Sequence, residues 1–370
     1  MRRWLLPEHI EDVLPAEARA IERLRRAILD LFERHGFELV APPMLEYVES
    51  LLSGTGKDLD LATFKLVDRL SGRMMGVRAD HTPQVARIDA HLLNRQGVAR
   101  LCYCGSVLHT VPAGITRTRE PLQIGAELYG HAGLEADTEI VRLMIDSLKA
   151  AGIGSVHVDL GNPAIYRAMA ADLGVDAETN EALFHAVQQK NAVDAKQLAV
   201  LTGLHGGIDT LERARRELPA KPAITQALAQ LERLARSVQG PGVEISVDLS
   251  ELGGFNYESG LVFAAFAPGS PDALARGGRY DEVGASFGRA RPATGFTLDL
   301  RQLAALAPGS ARRGAILAPC EDDNALRAEI ERLRSAGEIV VVDLPGHTDS
   351  TDELGCDRKL EKKDGKWRVT

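Results

Sequence analysis

Residues 100–130 read RLCYCGSVLHTVPAGITRTREPLQIGAELYG. Apolar and polar side chains alternate through 98–109 and again through 119–130, and the loop TVPAGITR joins the two runs. A period of two is the pattern of strands that bury one face, so these runs are read as strands of one sheet. Upstream, PAEARAIERLRRAILDLFERH (15–35) places Ile21, Leu24, Ile28, Leu29 and Phe32 at helical spacing and ends near Gly36. FELVAPPMLEY reads as a strand interrupted by Pro42 and Pro43, which confines it to an edge or an interface. FKLVDRLSGRMMGVR (64–78) reads as a hairpin turning at Ser71 and Gly72. ADHTPQVARIDAHLL then reads as a helix with Thr82 as N-cap and Pro83 at its first position.

Downstream, the helix ADTEIVRLMIDSLKAAGI leads into the strand SVHVDLG. Ala, Leu and Gln with helical periods dominate 163–238, and strand patterns resume at VEISVDLS, LVFAAF and ATGFTLDL. The middle stretch is therefore a helical insertion. The expected architecture is α+β: an antiparallel sheet with flanking helices over 1–160 and 240–308, a helical insertion over 161–239, and a short C-terminal α/β segment over 309–370. In that last segment GAILAPC, NALRAEIERLRSAG and EIVVVDLP form a βαβ unit, and CDRKLEKKDGKWRVT adds only a weak hairpin. Its apolar surface is too small for a robust independent domain.

The 370 residues suggest two or three domains. Hydrophobic content of 45% and charged content of 26% are those of a soluble globular protein. A net charge of -8 supplies no field favouring a polyanion, and the short basic stretches are mixed with acids, so no nucleic-acid partner is expected. No run reaches the roughly 18 apolar residues of a membrane helix, and MRRWLLPEHIEDVLP acquires acids and prolines before a signal-peptide core can form. Those features predict a cytoplasmic protein without membrane attachment. Cys102, Cys104, Cys320 and Cys356 lack the spacing of a zinc knuckle or a CxxC pair; reduced thiols are expected, with no metal and no cofactor.

Four segments carry convergent polar groups. The first is Arg78-Ala79-Asp80-His81-Thr82, and in the second Gln123, Gly125 and Glu127 share one face of a strand. The third is LGGFNYESGLVF (252–263), with Asn256, Tyr257 and Glu258 between two apolar arms and no cation. The fourth is ARGGRYDEVGASFG, whose glycines allow close backbone approach beside Arg276, Arg279, Tyr280 and Asp281.

These segments, in this order, resemble the catalytic domain of class II histidyl-tRNA synthetases from about residue 5 to residue 305. GFELVAPPMLE resembles the dimer-forming first motif, RADHT the segment after it, and RLCYCGSVLHTVPAGITRTREPLQIGAELYG the second motif and its following strand. ELGGFNYESGLVF resembles the histidine-binding segment, GGRYDEV its companion, and RPATGFTLDLRQL the third motif. The resemblance implies that Asp80, Thr82, Gln123 and Glu127 grip the α-ammonium of histidine and neighbouring atoms, with Tyr257 and Tyr280 on the imidazole side. Such an ammonium wants two or three acceptors, and charge-assisted hydrogen bonds contribute roughly 1.5–3 kcal/mol each. His109, Arg117, Arg119, Asn256 and Glu258 are secondary candidates, with Glu258 replacing a family tyrosine.

The departures from the family concern adenylation, which needs cations around a triphosphate. His109, Gly253 and Gln302 stand where the family has arginines, Val111 where it has a glutamate, and Asp299 where it has a glycine. Arg301 is no substitute, because adjacent helical residues point about 100° apart. Losing one transition-state donor commonly costs about 10²- to 10³-fold, so synthetase activity is expected to be lost. A synthetase-like body with a histidine pocket, no adenylation chemistry and a reduced C-terminal segment resembles the regulatory subunits of ATP phosphoribosyltransferase. The resemblance implies a non-catalytic chain that pairs as a class II-type dimer and joins a short catalytic subunit in a hetero-octamer. It would be needed for full activity and transmit feedback inhibition by L-histidine in the first step of histidine biosynthesis. The alternatives are an active histidyl-tRNA synthetase-like enzyme and a free-standing amino-acid-binding paralogue.

Overall fold

The computed structural model describes residues 4–54, 57–112, 118–191, 195–253, 258–307, 314–346 and 351–370. The chain divides into two compact units, Met1–Pro308 and Gly309–Thr370. The larger is built on a nine-stranded sheet, whose strands run in space Glu38–Leu39, Ala99–Ser106, Leu122–Tyr129, Ala293–Asp299, Ala275–Arg279, Val262–Phe266, Val156–Gly161, Val243–Asp248 and His205–Gly206. Its centre is antiparallel, as expected, but Glu38–Leu39 pairs in parallel with the Ala99–Ser106 strand, and Val156–Gly161 in parallel with Val243–Asp248. The sheet is therefore mixed, because intervening helices return the chain in the same direction at both of these joins.

Alternation along the central strands separates two environments. Cys102, Ile124, Ala126, Leu128, Phe296 and Leu298 join the main core beneath the helices. In the helix Pro15–Arg34, Ile21, Leu24, Ile28 and Phe32 are buried, and Phe32 meets Phe296 edge to face at 5.9 Å. Burying such side chains contributes about 1.5–3 kcal/mol each. Leu101, Tyr103, Tyr129, Tyr280 and Ala293 form a second, smaller cluster on the opposite face. That second face carries the candidate site.

Pro42 and Pro43 split the segment read as one interrupted strand into two strands of different sheets. Glu38–Leu39 edges the large sheet, while Leu45–Tyr47 edges a three-stranded sheet with Met74–Val77 and Lys65–Val67. Proline lacks the N–H a central ladder needs, so the chain changes sheets there. Asp68 accepts the N–H groups of Leu70 and Ser71 and closes the hairpin turn. Thr82 does not cap the following helix: Thr82–Arg87 starts at Thr82 itself, with His81 at the N-cap position and no side-chain cap. The Thr82 hydroxyl is drawn instead to Glu127.

The insertion comprises helices Pro163–Ala170, Ala177–Gln188, Lys196–Gly203, Thr210–Glu217 and Pro222–Val238. Asn162 caps the first through the Ala164 N–H and Asp176 the second through that of Thr179. Arg167 donates to the backbone carbonyls of Glu258 and Ser259, and the Gln188 amide to the Gly253 carbonyl at 2.9 Å. The insertion is thereby tied to the chain on either side of residues 254–257.

The smaller unit holds a four-stranded sheet in the order Val340–Asp343, Ala315–Pro319, Cys356–Lys363, Lys366–Val369. The first three strands are parallel and the last pair is an antiparallel hairpin. Ile316, Leu326, Ile330, Val340, Leu360 and Trp367 belong to its own hydrophobic cluster. The hairpin read as weak thus completes the sheet, with Trp367 covering apolar surface that the βαβ unit alone leaves open. Among the described residues no helix is long and apolar enough to cross a membrane.

Candidate functional site

Strand register assembles the site. On one face of the sheet, Arg276 lies opposite Thr297 and Thr297 opposite Gly125; Gly278 lies opposite Gly295 and Gly295 opposite Glu127; Tyr103 lies opposite Gly125. The glycines hollow this face. A Cβ at Gly295 would overlap the Glu127 carboxylate, one at Gly125 the Tyr103 ring, and one at Gly278 would come within 2.8 Å of a Glu258 oxygen. The result is a cavity of about 150 Å³ lined by Asp80, Thr82, Glu127, Glu258, Arg276 and Tyr280, with Gly277, Gly278, Gly295, Phe296 and Thr297. Pockets for drug-sized ligands run to roughly 300–1,000 Å³; this one suits a single amino acid.

Glu127 is the centre of the polar network and is only 1% exposed. Its Oε1 accepts the hydroxyls of Thr82 and Tyr103, each at 3.1 Å, and its Oε2 accepts that of Tyr280. Burial, reinforced by the nearby Asp80 carboxylate, nevertheless pushes the Glu127 carboxyl up to about 8 against the pull of the three hydroxyls. Asp80 is also raised by burial, partly offset by the backbone N–H groups of Thr82 and His81 and by Gln123. Asp80 Oδ1 and Thr297 Oγ1 are buried without a hydrogen-bond partner among the described residues. Two repelling carboxylates with an unpartnered oxygen form a site that a cation would satisfy.

Asp80, Thr82, Glu127 and Tyr280 thus meet in one cavity. Gln123 stands behind them, its Oε1 accepting from the His81 ring at 2.9 Å and the His81 backbone N–H at 3.3 Å. Its carbonyl is engaged by the protein, so Gln123 orients the Asp80 to Thr82 turn instead of offering a free acceptor. Glu258 lines the cavity, while Asn256, Tyr257 and Arg117 lie outside the described residues. His109 and Arg119 belong to the loop rather than the cavity. The His109 ring pairs with the Ala79 carbonyl at 2.9 Å, and Arg119 donates to the His109 carbonyl and lies over the Phe64 ring.

Two of the polar groups in ARGGRYDEV face away from the site. Arg279 is buried in a bidentate pair with Asp137, its Nη2 donating to Oδ2 at 2.8 Å, and Asp281 accepts the Ala293 N–H at 3.0 Å. Period-two alternation sends Tyr280 to the cavity and its neighbours elsewhere. His81 and Tyr103 were not read as site residues. His81 stacks on Tyr103 with ring centroids 4.6 Å apart, and burial lowers the imidazole to about 4. Tyr103 is the polar tip in an apolar strand facing Glu127; the alternation of LCYCG places it on the Glu127 face once register is known.

The positions read as lacking family arginines carry no cation directed at the cavity among the described residues. Gly253 has φ +62°, and a Cβ there would overlap the Glu258 carboxylate. Gln302 Nε2 donates to Ser270 Oγ at 3.1 Å, while Arg301 points to Glu120 at 3.5 Å. Asp299 caps the helix Leu300–Leu306 through the Arg301 N–H. Among the described residues no group of three or more His, Cys, Asp or Glu side chains is placed to hold a metal ion.

Residues 9–303 match the family model described as histidyl-tRNA synthetase, and residues 313–370 match that of the ATP phosphoribosyltransferase subunit HisZ C-terminal domain. An ATP phosphoribosyltransferase regulatory subunit from Cupriavidus necator is 57% identical, the alignment covering 99% of this chain and 98% of the relative. The corresponding protein from Ralstonia pickettii is 55% identical, over 99% and 97%. A Bacillus halodurans crystal structure, described as an ATP phosphoribosyltransferase regulatory subunit/histidyl-tRNA synthetase, superposes with a TM-score of 0.83 at 27% identity, covering 97% of this chain and 98% of that one. Histidyl-tRNA synthetase from a Nostoc species shares the fold at a TM-score of 0.77 and 19% identity, over 97% and 91%. Relatives matched over nearly the whole length and the match of the C-terminal segment together place the chain in the family of ATP phosphoribosyltransferase regulatory subunits.

Proposed function

We propose that this chain binds free L-histidine in the Asp80–Glu127 cavity and acts as the histidine-responsive, non-catalytic partner of a short ATP phosphoribosyltransferase catalytic subunit. The observation that carries the reading is the buried carboxylate pair, Glu127 ringed by three hydroxyls and Asp80 with one oxygen unpartnered. An ammonium entering there lets both acids ionise and completes their hydrogen bonds. Glu127 also touches Tyr280 directly, so it links the ammonium side of the pocket to the imidazole side. A synthetase reaction is not supported: Gly253, Gln302 and Asp299 supply no cation.

Regulation follows from differential binding. If histidine binds one arrangement of the assembly better than another, substrates favouring the other arrangement oppose it reciprocally. The assembly in this reading is a cytoplasmic hetero-octamer containing class II-type dimers of this chain. Calorimetry tests the site: histidine should bind the wild-type chain, and a Glu127→Ala variant of normal affinity would sink the assignment. Reconstitution with a short catalytic subunit should raise phosphoribosyl transfer and make it histidine-sensitive. Histidine-dependent pyrophosphate exchange with ATP by the purified chain would overturn the non-catalytic reading.

A further inference from the structure

We propose that Arg276, backed by Thr297, receives the α-carboxylate of the bound amino acid and makes the site selective for the free acid. This rests on the histidine reading above and adds a specificity determinant to it. A zwitterion carries its carboxylate two bonds from its ammonium, so an ammonium held by Asp80 and Glu127 leaves an anion inside the same cavity. That anion would be repelled by Asp80, Glu127 and Glu258 unless a donor faces it.

Arg276 is the only lysine or arginine among the described residues lining this cavity or the adjoining one of about 280 Å³, which Glu258, Arg276 and Gly277 also line. Its guanidinium lies 3.9 Å from Glu251 with the side chain 57% exposed, a solvent-screened contact that contributes little and leaves the fork available. Directly across the strand pair stands Thr297, whose buried hydroxyl lies near that of Tyr103 but makes no hydrogen bond of normal geometry among the described residues. A planar fork and a hydroxyl on one face, opposite the buried acids, match a carboxylate.

Calorimetry with L-histidine and L-histidinol, in which a hydroxymethyl group replaces the carboxylate, tests the assignment on the full chain. Wild type should prefer histidine by about 10- to 100-fold, the value of one charge-assisted contact. Arg276→Gln should lower histidine to the histidinol level while leaving histidinol within about twofold, and Arg276→Lys should restore part of the preference. Undiminished preference in Arg276→Gln overturns the proposal, as does an equal loss for both ligands, which marks a merely structural arginine. Failure of the wild-type chain to bind either ligand instead removes the histidine reading, and this assignment with it.

Discussion

If an ammonium binds beside Glu127 as proposed, binding should be a proton-linked event. With its carboxyl at about 8 in the empty site, about ten-elevenths of the molecules carry a proton there at pH 7 and about half at pH 8. An ammonium needs the carboxylate, so binding at pH 7 releases about 0.9 proton from Glu127, falling to about 0.5 at pH 8. The apparent affinity should accordingly rise about fivefold between those pH values, beyond any change from the ligand's own titration. Calorimetry in buffers of different ionisation enthalpy counts the protons. Glu127→Gln, titrated with the same ligand, should bind weakly, release only what Asp80 contributes and lose the fivefold rise. Equal proton release by wild type and Glu127→Gln would refute the reasoning, because the variant lacks the carboxyl that burial raises to about 8 and keeps only the contribution of Asp80.

Other perturbations follow from the same geometry. Gly295→Ala places a Cβ on the Glu127 carboxylate and near the Ala126 carbonyl; overpacking of this kind costs about 1–3 kcal/mol, and calorimetry should show at least about a tenfold loss of histidine affinity. Burial holds the folded His81 imidazole at about 4 against an ordinary 6.5, so its stabilising contribution is complete above pH 6.5 and is lost as the pH falls toward 4. The loss amounts to about 3 kcal/mol, and urea unfolding across that window should be flatter in His81→Gln. Arg279→Ala strands the buried Asp137 carboxylate, which should cost about 3–5 kcal/mol in urea unfolding.

Much of this was legible in the chain before any coordinates. Alternation in RLCYCGSV and PLQIGAELYG marked the central strands, because a half-buried sheet imposes period two on its side chains. The amphipathic helix over 15–35 and the hairpin at Ser71 and Gly72 were readable for similar local reasons. The glycines at 253, 278 and 295 and the absent arginines were visible as letters, as was the carboxylate at 127. Less legible was the behaviour of a segment whose partners lie far away. Thr82 reads locally as a helix cap, yet its hydroxyl goes to Glu127, forty-five residues on. Arg279 and Tyr280 are adjacent in one polar motif, yet the strand sends one to Asp137 and the other to Glu127.

The sequence by itself determined the strand pattern, the kinds of group available to a ligand and the cations that are missing, since each is a property of residue type and spacing. Tertiary structure alone decided which of those groups face one another. Cross-strand register sets Arg276 against Thr297, and Glu127 against Gly295 from a segment more than a hundred residues away. Burial, which exists only once the strands and helices close around the site, turns an ordinary glutamate into one that holds its proton near neutral pH.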